Sequence, residues 1–498
     1  MTSDDLIDEA LAAIAASRSQ LDPDYPRFHL APPVGRLNDP NGLVIVDGVY
    51  HAFYQFGPFF PGRKQIYWGH ASSSDLVTWR SHAPAIAPSD WYDRSGAYSG
   101  GATIHDGRLW LHYTGNVKSG GRRESYQCAA ISDDLVRFAK HPANPLISGS
   151  PPGYTAHLRD PQVLVDDQGF RMLLGAQRAD ETGCILSYRS ADLVRWDFEG
   201  ELSFPGSAGR YDAFGYMWEC PNLLRVPDED TGELRDVLIF CPQGLAPAGD
   251  SFRNIFPCGY LVGRLDGTAF HVQGEFRELD RGFEFYAPQA FRRPDDADAA
   301  APVLLGWLGN ASEDNQPSLA DHGWVHTMTF PRRLTLRDGV LLQRPPAEAV
   351  AAIGPGRELA LSGTALADAS STLPELAGAD AFALTLELDQ SDAEEWGLTI
   401  ATRPGSELLL GFRRGRLTVD RSATRYPHGE RRSLAIPDST RIRIELIHDR
   451  SITELFVADG QTAFSLRSYL DAGERQVALQ ASGTLRVLSG HAVVPAQD

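Results

Sequence analysis

Cysteine, long apolar runs and excess positive charge are all scarce in this chain of 498 residues. Its five cysteines are odd in number, and no two are spaced Cys-x-x-Cys, which argues against a disulfide framework and against a zinc site. No stretch approaches about 18 consecutive apolar residues, so we expect no membrane-spanning helix. The net charge of −19 disfavours nucleic acid and anionic membranes as partners.

The N-terminal residues lack the basic start and apolar core of a secretory signal, because the chain begins Met-Thr-Ser-Asp-Asp. We therefore expect a reduced, cytoplasmic protein. Beyond Ser3, the residues Ile7, Leu11 and Ile14 recur at helical spacing. This pattern predicts a helix that packs against the rest of the protein or lies at the edge of a homo-oligomer.

What the chain does contain is an internal repeat. Near-copies of one short sequence place Asp75, Asp134 and Asp192 at nearly equal intervals. The segments between the copies alternate like strands, and Asp47-Gly48 and Asp106-Gly107 are strong hairpin signals. Self-similarity of this kind in strand-like sequence predicts an all-β fold, a β-propeller with five four-stranded blades.

A change of composition near residue 345 divides the chain into two parts. After Arg344-Pro345-Pro346 comes a stretch rich in Ala, Gly and Pro, and then short segments such as 382–388 and 442–446 in which apolar and polar residues alternate. Short alternating strands in the remainder of the chain predict a β-sandwich. The expected organisation is a helical N-terminal extension, a five-bladed propeller, a linker and a C-terminal β-sandwich, at residues 1–26, 27–345, 346–356 and 357–498.

Three carboxylates recur in step with the repeat. Asp39 lies in Asn-Asp-Pro-Asn-Gly, Asp160 in Arg-Asp-Pro and Glu219 in Trp-Glu-Cys-Pro, so that the first gap spans two repeats and the second spans one. Alone, Asn-Asp-Pro-Asn-Gly is better explained as a turn, since each of its residues favours one. The recurrence of an acid at the same point of the repeat instead predicts that equivalent strand ends bring all three to one pocket.

A pocket with two such carboxyl groups can hydrolyse a glycosidic bond, because one protonates the leaving oxygen and the other acts as nucleophile or activates water. Glu219 stands between Trp218 and Cys220, so we expect it to be the protonated acid and Asp39 to be ionised. Polar and aromatic side chains suited to a sugar occur at corresponding places. These are Asn38, Gln55, Trp68, Ser99, Arg159, Tyr286 and Trp307.

Taken in order, these motifs resemble those of glycoside hydrolase family 32, the invertases and β-fructofuranosidases. The resemblance extends from about residue 27 to the end of the chain. Beyond the three acid motifs it includes Phe53-Tyr54-Gln55, Trp68-Gly69-His70, Ser99-Gly100-Gly101, Phe285-Tyr286-Ala287-Pro288-Gln289, Gly306-Trp307, Asp449-Arg450-Ser451 and Glu454-Leu455-Phe456. The family implies a five-bladed propeller followed by a β-sandwich, and hydrolysis that retains the configuration of the fructosyl anomeric carbon.

The resemblance also implies roles for particular residues. Asp39 would be the nucleophile, Glu219 the acid/base and Asp160 the stabiliser of the transition state. No metal or organic cofactor is implied. The residues that would line the fructose subsite are Gln55, Trp68, Ser99 and Arg159.

Three positions depart from the usual family pattern. Arg36-Leu37 stands where Trp-Met is common, Phe56-Gly57 replaces His-Asn, and Glu284 replaces an aspartate. None of these changes removes a catalytic group. We expect all three to lie near the pocket and to affect substrate preference.

The substrate implied for a cytoplasmic member of the family is sucrose, sucrose 6-phosphate or a short fructo-oligosaccharide. Phosphate recognition would need basic groups at the rim of the pocket, although ordinary solvated loop charges are the favoured explanation for the available ones. The candidates are Arg63, Lys64, Lys118, Arg122 and Arg123. Two other functions stay open: a fructosyltransferase that shares the covalent intermediate, and a sugar-binding propeller without catalysis.

Overall fold

The N-terminal part of the chain forms five consecutive antiparallel sheets in a computed structural model that describes residues 1–291, 301–436 and 439–496. The first strands of these sheets contact one another in a closed ring, so the sheets are the blades of a propeller. Blade 1 contains β1 (Gly35–Val46), β2 (Val49–Gly57), β3 (Tyr67–Ser73) and β4 (Arg80–Ser81). Blade 2 contains β5 (Ala97–His105), β6 (Arg108–Ser119), β7 (Arg122–Ser132), β8 (Ala139–Lys140) and β9 (Ile147–Ser148).

The remaining blades have the same arrangement. Blade 3 contains β10 (Tyr154–Asp166), β11 (Gly169–Arg178), β12 (Gly183–Ser190) and β13 (Asp197–Glu201). Blade 4 contains β14 (Met217–Pro227), β15 (Leu234–Gln243), β16 (Gly259–Asp266) and β17 (Ala269–Glu278). Blade 5 and its connections contain β18 (Tyr286–Ala290), β19 (Val303–Leu308), β20 (Trp324–Val325), β21 (Thr327–Met328), β22 (Arg332–Arg337) and β23 (Val340–Arg344). The prediction of a five-bladed propeller is confirmed.

The ring is closed by a strand from the end of the propeller. β20 pairs in parallel with β1 of blade 1, with Trp324 opposite Gly35 and Val325 opposite Arg36. The strands within each blade pair antiparallel, so the parallel pairing of β20 with β1 is a distinct contact that joins the last blade to the first.

The repeated aspartates form turns between the third and fourth strands of blades 1 to 3. In each turn Oδ1 of Asp75, Asp134 or Asp192 accepts hydrogen bonds of 2.7–2.9 Å from the backbone N–H groups two and three residues later. An aspartate that bonds its own following backbone in this way stabilises the turn. The repeat therefore marks blade architecture.

The C-terminal part is the predicted β-sandwich. Its strands are β24 (Gly356–Glu358), β25 (Thr364–Thr372), β26 (Ala381–Arg403), β27 (Ser406–Arg413), β28 (Arg416–Ala423), β29 (Arg431–Ala435), β30 (Arg441–Asp449), β31 (Ile452–Val457), β32 (Thr462–Arg467) and β33 (Gln476–Val493). The two long strands β26 and β33 pair with each other, and the two halves of β26 pair with β30 and β27 respectively. The side chains between the layers form a continuous aliphatic core.

Helices are few. They are α1 (Ser3–Ala16), α2 (Pro317–His322) and α3 (Ala347–Ile353), with short 3-10 turns at Ser19–Leu21 and Pro374–Leu376. In α1 the buried positions are Leu6 and Ala10, and Leu11 is exposed, so the helix packs on the rest of the chain through a face that does not include Leu11. Within the segment expected as a linker, α3 forms a helix that buries Ala349 and Ile353.

A buried network of charged groups joins the propeller to the sandwich. The Asp449 carboxylate of β30 accepts hydrogen bonds from the backbone N–H groups of residues 27–29 and lies 2.8 Å from Nδ1 of His29. Arg332 of β22 donates to Glu454 of β31 at 2.6 Å and to Asp280 at 2.9 Å, with all three side chains inaccessible to solvent. Asp449 and Glu454 belong to the two sandwich motifs of the family resemblance, so these motifs attach the sandwich to the propeller.

Candidate active site

Each first strand of the five blades has a β-bulge at the same level. One extra residue interrupts the pairing between Leu37 and Pro40 in β1, Tyr98 and Gly100 in β5, Arg159 and Gln162 in β10, Glu219 and Asn222 in β14, and Tyr286 and Gln289 in β18. A bulge bends the strand and turns a side chain away from its regular direction. The five bulges thereby redirect the acids and their neighbours towards the end of the central channel.

Three of these bulges have the same backbone shape and are each followed by a proline. Asp160, Cys220 and Ala287 each precede a proline and have φ values of +63°, +50° and +47°. A proline cannot donate to the strand ladder, so it fits only at an interruption such as a bulge. Left-handed backbone at residues other than glycine is uncommon and tends to occur at functional sites.

Asp39 of β1 is held by donors from two blades. Its Oδ2 accepts hydrogen bonds from Gln55 Nε2 at 2.9 Å and from Ser99 Oγ at 2.5 Å, and the Gln55 amide also contacts the Ser99 hydroxyl. Its Oδ1 has one longer contact, 3.3 Å from Asn38 Nδ2. Oδ1 is therefore the oxygen with more freedom to engage a ligand.

Glu219 of β14 is surrounded by hydrogen-bond donors. Arg159 lies 2.7 Å (Nε) and 2.6 Å (Nη2) from its Oε1, while Gln243 Nε2 and the Tyr286 hydroxyl donate to Oε2 at 2.7 and 2.6 Å. These surroundings are more polar than Trp218 and Cys220 suggest, because neighbouring residues on a strand point to opposite faces. Trp218 packs in the core between blades 3 and 4, while the Cys220 thiol lies 3.6 Å from Asp160 Oδ2.

Asp160 lies close to both of the other acids. Its Oδ2 accepts a hydrogen bond of 3.0 Å from the backbone N–H of Cys220, the residue after Glu219. Burial, and then the charge of Glu219, raise the pKa of Asp160 to about 7 despite the opposing charge of Arg159. Asp39 adds to this effect, so the three carboxylates are close enough to repel one another.

The pKa of Asp39 is also raised. Burial is the main cause, and the charge of Glu219 adds to it, while the hydrogen bonds from Ser99 and Asn38 lower the pKa in part. Like-charged carboxyl groups in one pocket do not all ionise at their ordinary pH. The cluster consequently retains a proton at a higher pH than three separate carboxylates do.

Six of the seven residues predicted to bind substrate lie at the catalytic acids or next to them. Asn38, Gln55, Ser99, Arg159 and Tyr286 all contact Asp39 or Glu219 directly. Trp307 of β19 borders this group: its ring lies edge-on to Tyr286, with centroids 6.3 Å apart.

Trp68 is placed differently from what the sequence suggests. Its side chain is fully buried in the core between blades 1 and 2, and its indole N–H donates to the backbone carbonyl of Tyr98 at 3.0 Å. The structure therefore gives Trp68 a packing position beneath the bulge of β5, and the prediction that it contacts substrate is corrected.

One feature of the site was missed by the sequence reasoning, and another was expected near the pocket without a contact being assigned to it. Gln243, at the end of β15, donates to Glu219 but belongs to no recognised motif. Arg36 donates to Asn38 Oδ1 at 3.1 Å and to Asp314 Oδ1 at 2.6 Å, and its guanidinium lies 5.2 Å from the Trp307 ring centroid. The only signal for Arg36 was its departure from the family pattern.

The other two departures are buried in the protein. Phe56 is fully buried in the core of blade 1. Glu284 is inaccessible to solvent and forms an ion pair of 2.7 Å with Arg421 of the sandwich. The side chains of Phe56 and Glu284 thus lie away from the candidate site, although Gly57, the second residue of the Phe56-Gly57 departure, pairs with Arg36 in the register of β1 and β2. The expectation that all three departures lie near the pocket is wrong at Glu284.

Within residues 1–291, 301–436 and 439–496, no group of three or more His, Cys, Asp or Glu side chains is arranged to hold a metal ion. Among the helices of the described ranges, none combines the length and the hydropathy needed to cross a membrane.

Comparison with protein families gives two matches that together cover nearly the whole chain. The model of the glycosyl hydrolases family 32 N-terminal domain matches residues 29–345, and the model of the family 32 C-terminal domain matches residues 357–494. The chain belongs to glycosyl hydrolase family 32. It is a glycosidase, and the predicted family resemblance is confirmed.

Individual relatives resemble the chain over nearly their full length. A sucrose-6-phosphate hydrolase of Bacillus subtilis is 37% identical over 466 residues, covering 93% of this chain and 92% of that protein. A raffinose invertase of Escherichia coli is 35% identical over 486 residues, covering 96% of each. The structure of a sucrose-6-phosphate hydrolase from Lactobacillus gasseri has a TM-score of 0.83 at 31% identity, covering 99% of this family 32 chain and 96% of that one.

Proposed function

We propose that this glycosidase hydrolyses the β-fructofuranosyl bond of sucrose or sucrose 6-phosphate and retains the configuration of the fructosyl carbon. The observation that carries the proposal is the meeting of Asp39, Asp160 and Glu219, which come from three different blades, so close together that the charge of Glu219 raises the pKa of both aspartates while the backbone N–H beside Glu219 donates to Asp160. The names of the relatives from Bacillus subtilis and Lactobacillus gasseri support the choice of substrates.

The first half-reaction uses Asp39 and Glu219 together. Asp39 Oδ1 attacks the anomeric carbon of the fructosyl unit as the bond from that carbon to the leaving oxygen breaks. Glu219 gives its proton to this oxygen, and the glucose unit departs with the hydroxyl. The hydrogen bonds from Ser99 and Gln55 hold Oδ2 and so orient Oδ1. The product is a fructosyl ester of Asp39.

The second half-reaction returns the enzyme to its starting state. The ionised Glu219 removes a proton from water, and the water oxygen attacks the anomeric carbon and displaces the Asp39 carboxylate. Fructose leaves with its configuration retained because two inversions have occurred. Asp160, buried beside Glu219, accepts hydrogen bonds from fructosyl hydroxyls and stabilises positive charge that develops on the ring.

The cell compartment belongs to the same proposal. All five cysteines are free thiols, and each is buried. A reducing cytoplasm, in which imported sucrose or its phosphate ester is cleaved, suits such a chain.

The direct test is release of fructose from purified protein. We expect turnover of sucrose, sucrose 6-phosphate or both, with hexoses as the main products at low substrate concentration. Proton NMR of the first fructosyl product, trapped with methanol, should show the β-anomer. Accumulation of trisaccharide in place of free fructose would favour a transferase, and initial formation of the α-anomer would refute the retaining mechanism.

The acid role of Glu219 predicts an effect that depends on the leaving group. Glu219→Gln should lower kcat on sucrose by about 10²–10⁴-fold but lower it far less on β-fructofuranosyl fluoride, because fluoride leaves without a proton. Glu233→Gln is the matched control, since Glu233 lies in the same blade with its side chain 64% exposed. Equal losses on both substrates would exclude the acid role.

The raised pKa of Asp39 predicts the acid limb of the pH profile. Asp39 must be ionised to attack, so kcat/KM falls as the pH drops through its raised pKa, at a higher pH than for an exposed aspartate. Ser99→Ala removes a hydrogen bond that lowers this pKa, so the acid limb should move up by about one unit. Ser119→Ala, at an exposed position, should leave it unchanged. An acid limb that stays in place in Ser99→Ala would contradict the assignment.

A further inference from the structure

One of the five basic residues considered for phosphate recognition lies beside the catalytic acids. Arg63 is already engaged, because it pairs with Glu9 of α1 at 2.8 Å and stacks on Phe59. Lys64, Lys118 and Arg122 are exposed. Arg123, near the start of β7, is half-buried, and the charges that act on it are those of the active site.

The position of Arg123 follows from the register of β7. Ser125 and Gln127, on the same face of this strand, donate hydrogen bonds of 2.8 and 3.0 Å to the backbone carbonyls of Ala156 and Leu158 in β10. Side chains two residues apart on a strand share a face. Arg123 therefore projects from blade 2 over the first strand of blade 3, the strand that carries Arg159 and Asp160.

The electrostatic neighbours of Arg123 come from three blades. They are Tyr98 of blade 2, Arg159 and Asp160 of blade 3, and Glu219 of blade 4. Burial, and then the like charge of Arg159, lower the pKa of Arg123 below its ordinary value. Only a position at the axial end of the propeller, close to the acid Glu219, lies near all of these groups at once.

Arg123 has no ion-pair partner among the residues that the structure describes. Arg159 is paired with Glu219, whereas no carboxylate of residues 1–291, 301–436 and 439–496 lies within ion-pairing distance of Arg123. The adjacent His157 adds no charge near pH 7, because burial and then the charges of Arg159 and Arg123 lower its pKa to about 4. A half-buried guanidinium beside another guanidinium is stabilised by an anionic ligand.

We propose that Arg123 binds a phosphate monoester on the leaving sugar, which makes it the residue that selects sucrose 6-phosphate over sucrose; this inference rests on the proposed function. Glu219 protonates the leaving oxygen, so the glucose unit lies on the Glu219 side of the site, where Arg123 projects. Sucrose 6-phosphate carries its phosphate on that unit. The planar guanidinium can donate two parallel hydrogen bonds to phosphate oxygens. In a chain of net charge −19, such a local cation also attracts an anionic substrate to the pocket.

The test compares kcat/KM for the two substrates in wild-type protein and in Arg123→Gln. We expect the wild type to prefer sucrose 6-phosphate. Arg123→Gln should lower kcat/KM for the phosphate ester by about 10- to 100-fold and change that for sucrose by less than about threefold. Arg123→Lys should be intermediate, because lysine keeps the charge but loses the two-pronged geometry. Arg122→Gln, the exposed neighbour, should change neither value.

Product inhibition gives an independent measure of the same contact. Glucose 6-phosphate should inhibit the wild type more strongly than glucose does, and Arg123→Gln should remove most of this difference. Equal losses on sucrose and sucrose 6-phosphate would overturn the proposal and make Arg123 a positioning residue for Arg159. A wild type that prefers plain sucrose, or an unchanged preference in Arg123→Gln, would also overturn it while leaving the proposed function intact. Turnover of neither substrate by the wild type would refute the proposed function itself.

Discussion

Replacement of Asp39 by alanine is expected to lower kcat on sucrose by about 10⁴-fold or more. The variant keeps Glu219 and the sugar-binding groups, but no oxygen remains where Oδ1 of Asp39 attacks the anomeric carbon. Gln55 and Ser99 lose their shared acceptor and still contact each other, so the pocket keeps its donors. The measurement is single-turnover and steady-state fructose release, together with mass spectrometry of the protein after brief exposure to substrate.

The control for this change is a surface aspartate. Asp133→Ala removes an exposed ion pair with Arg108, in which the Asp133 side chain is 75% exposed, and should leave kcat within about twofold of wild type. Wild-type protein quenched during turnover should carry one fructosyl unit, and Asp39→Ala none. Activity above a few per cent in Asp39→Ala, or a fructosyl adduct on that variant, would show that another group is the nucleophile.

The second large effect concerns stability. Arg332→Met should lower the free energy of unfolding by about 3–5 kcal/mol, because it removes the guanidinium that neutralises buried Asp280 and shares buried Glu454 with His29. Because methionine fills a similar volume, the expected loss of stability arises mainly from the missing charge and hydrogen bonds of the guanidinium. The measurement is urea denaturation followed by tryptophan fluorescence and by residual activity.

The neighbouring arginine supplies a matched comparison. Arg333 pairs with Glu348 on the surface, where the two side chains are 41% and 52% exposed. Arg333→Met should therefore lower the free energy of unfolding by less than about 1 kcal/mol. Similar losses from the two substitutions would show that the buried network contributes no more than a surface ion pair.

The architecture could be predicted because it repeats. Copies of one turn at a nearly constant spacing, with strand-like sequence between them, are sufficient to predict the blades of a propeller. In the structure, Asp75, Asp134 and Asp192 do form equivalent turns. The common position of the acids could also be predicted. The prolines that follow Asp160 and Cys220 marked bulges, although the sequence alone did not show that a bulge was the reason.

Other parts of the site could not be predicted because they depend on strand direction or distant pairing. Tyr67 and Trp68 are neighbours on β3, and both are fully buried. Because apolar and polar residues do not alternate at this point of the strand, the sequence did not indicate that the Trp68 side chain faces a blade core. Gln243 reaches Glu219 only because β15 ends beside β14. The pairing of Arg36 with Asp314 joins distant parts of the chain and has no local sequence signature.

The parallel pairing of Trp324 with Gly35 has a consequence for biosynthesis. β1, the strand that carries Asp39, leaves the ribosome long before β20, the strand that locks it in place. A polypeptide truncated between Glu219 and β20 has all three acids but an open ring. We therefore expect nascent or prematurely terminated chains to be inert towards sugar, so that enzymatic activity reports on molecules whose propeller has been completed.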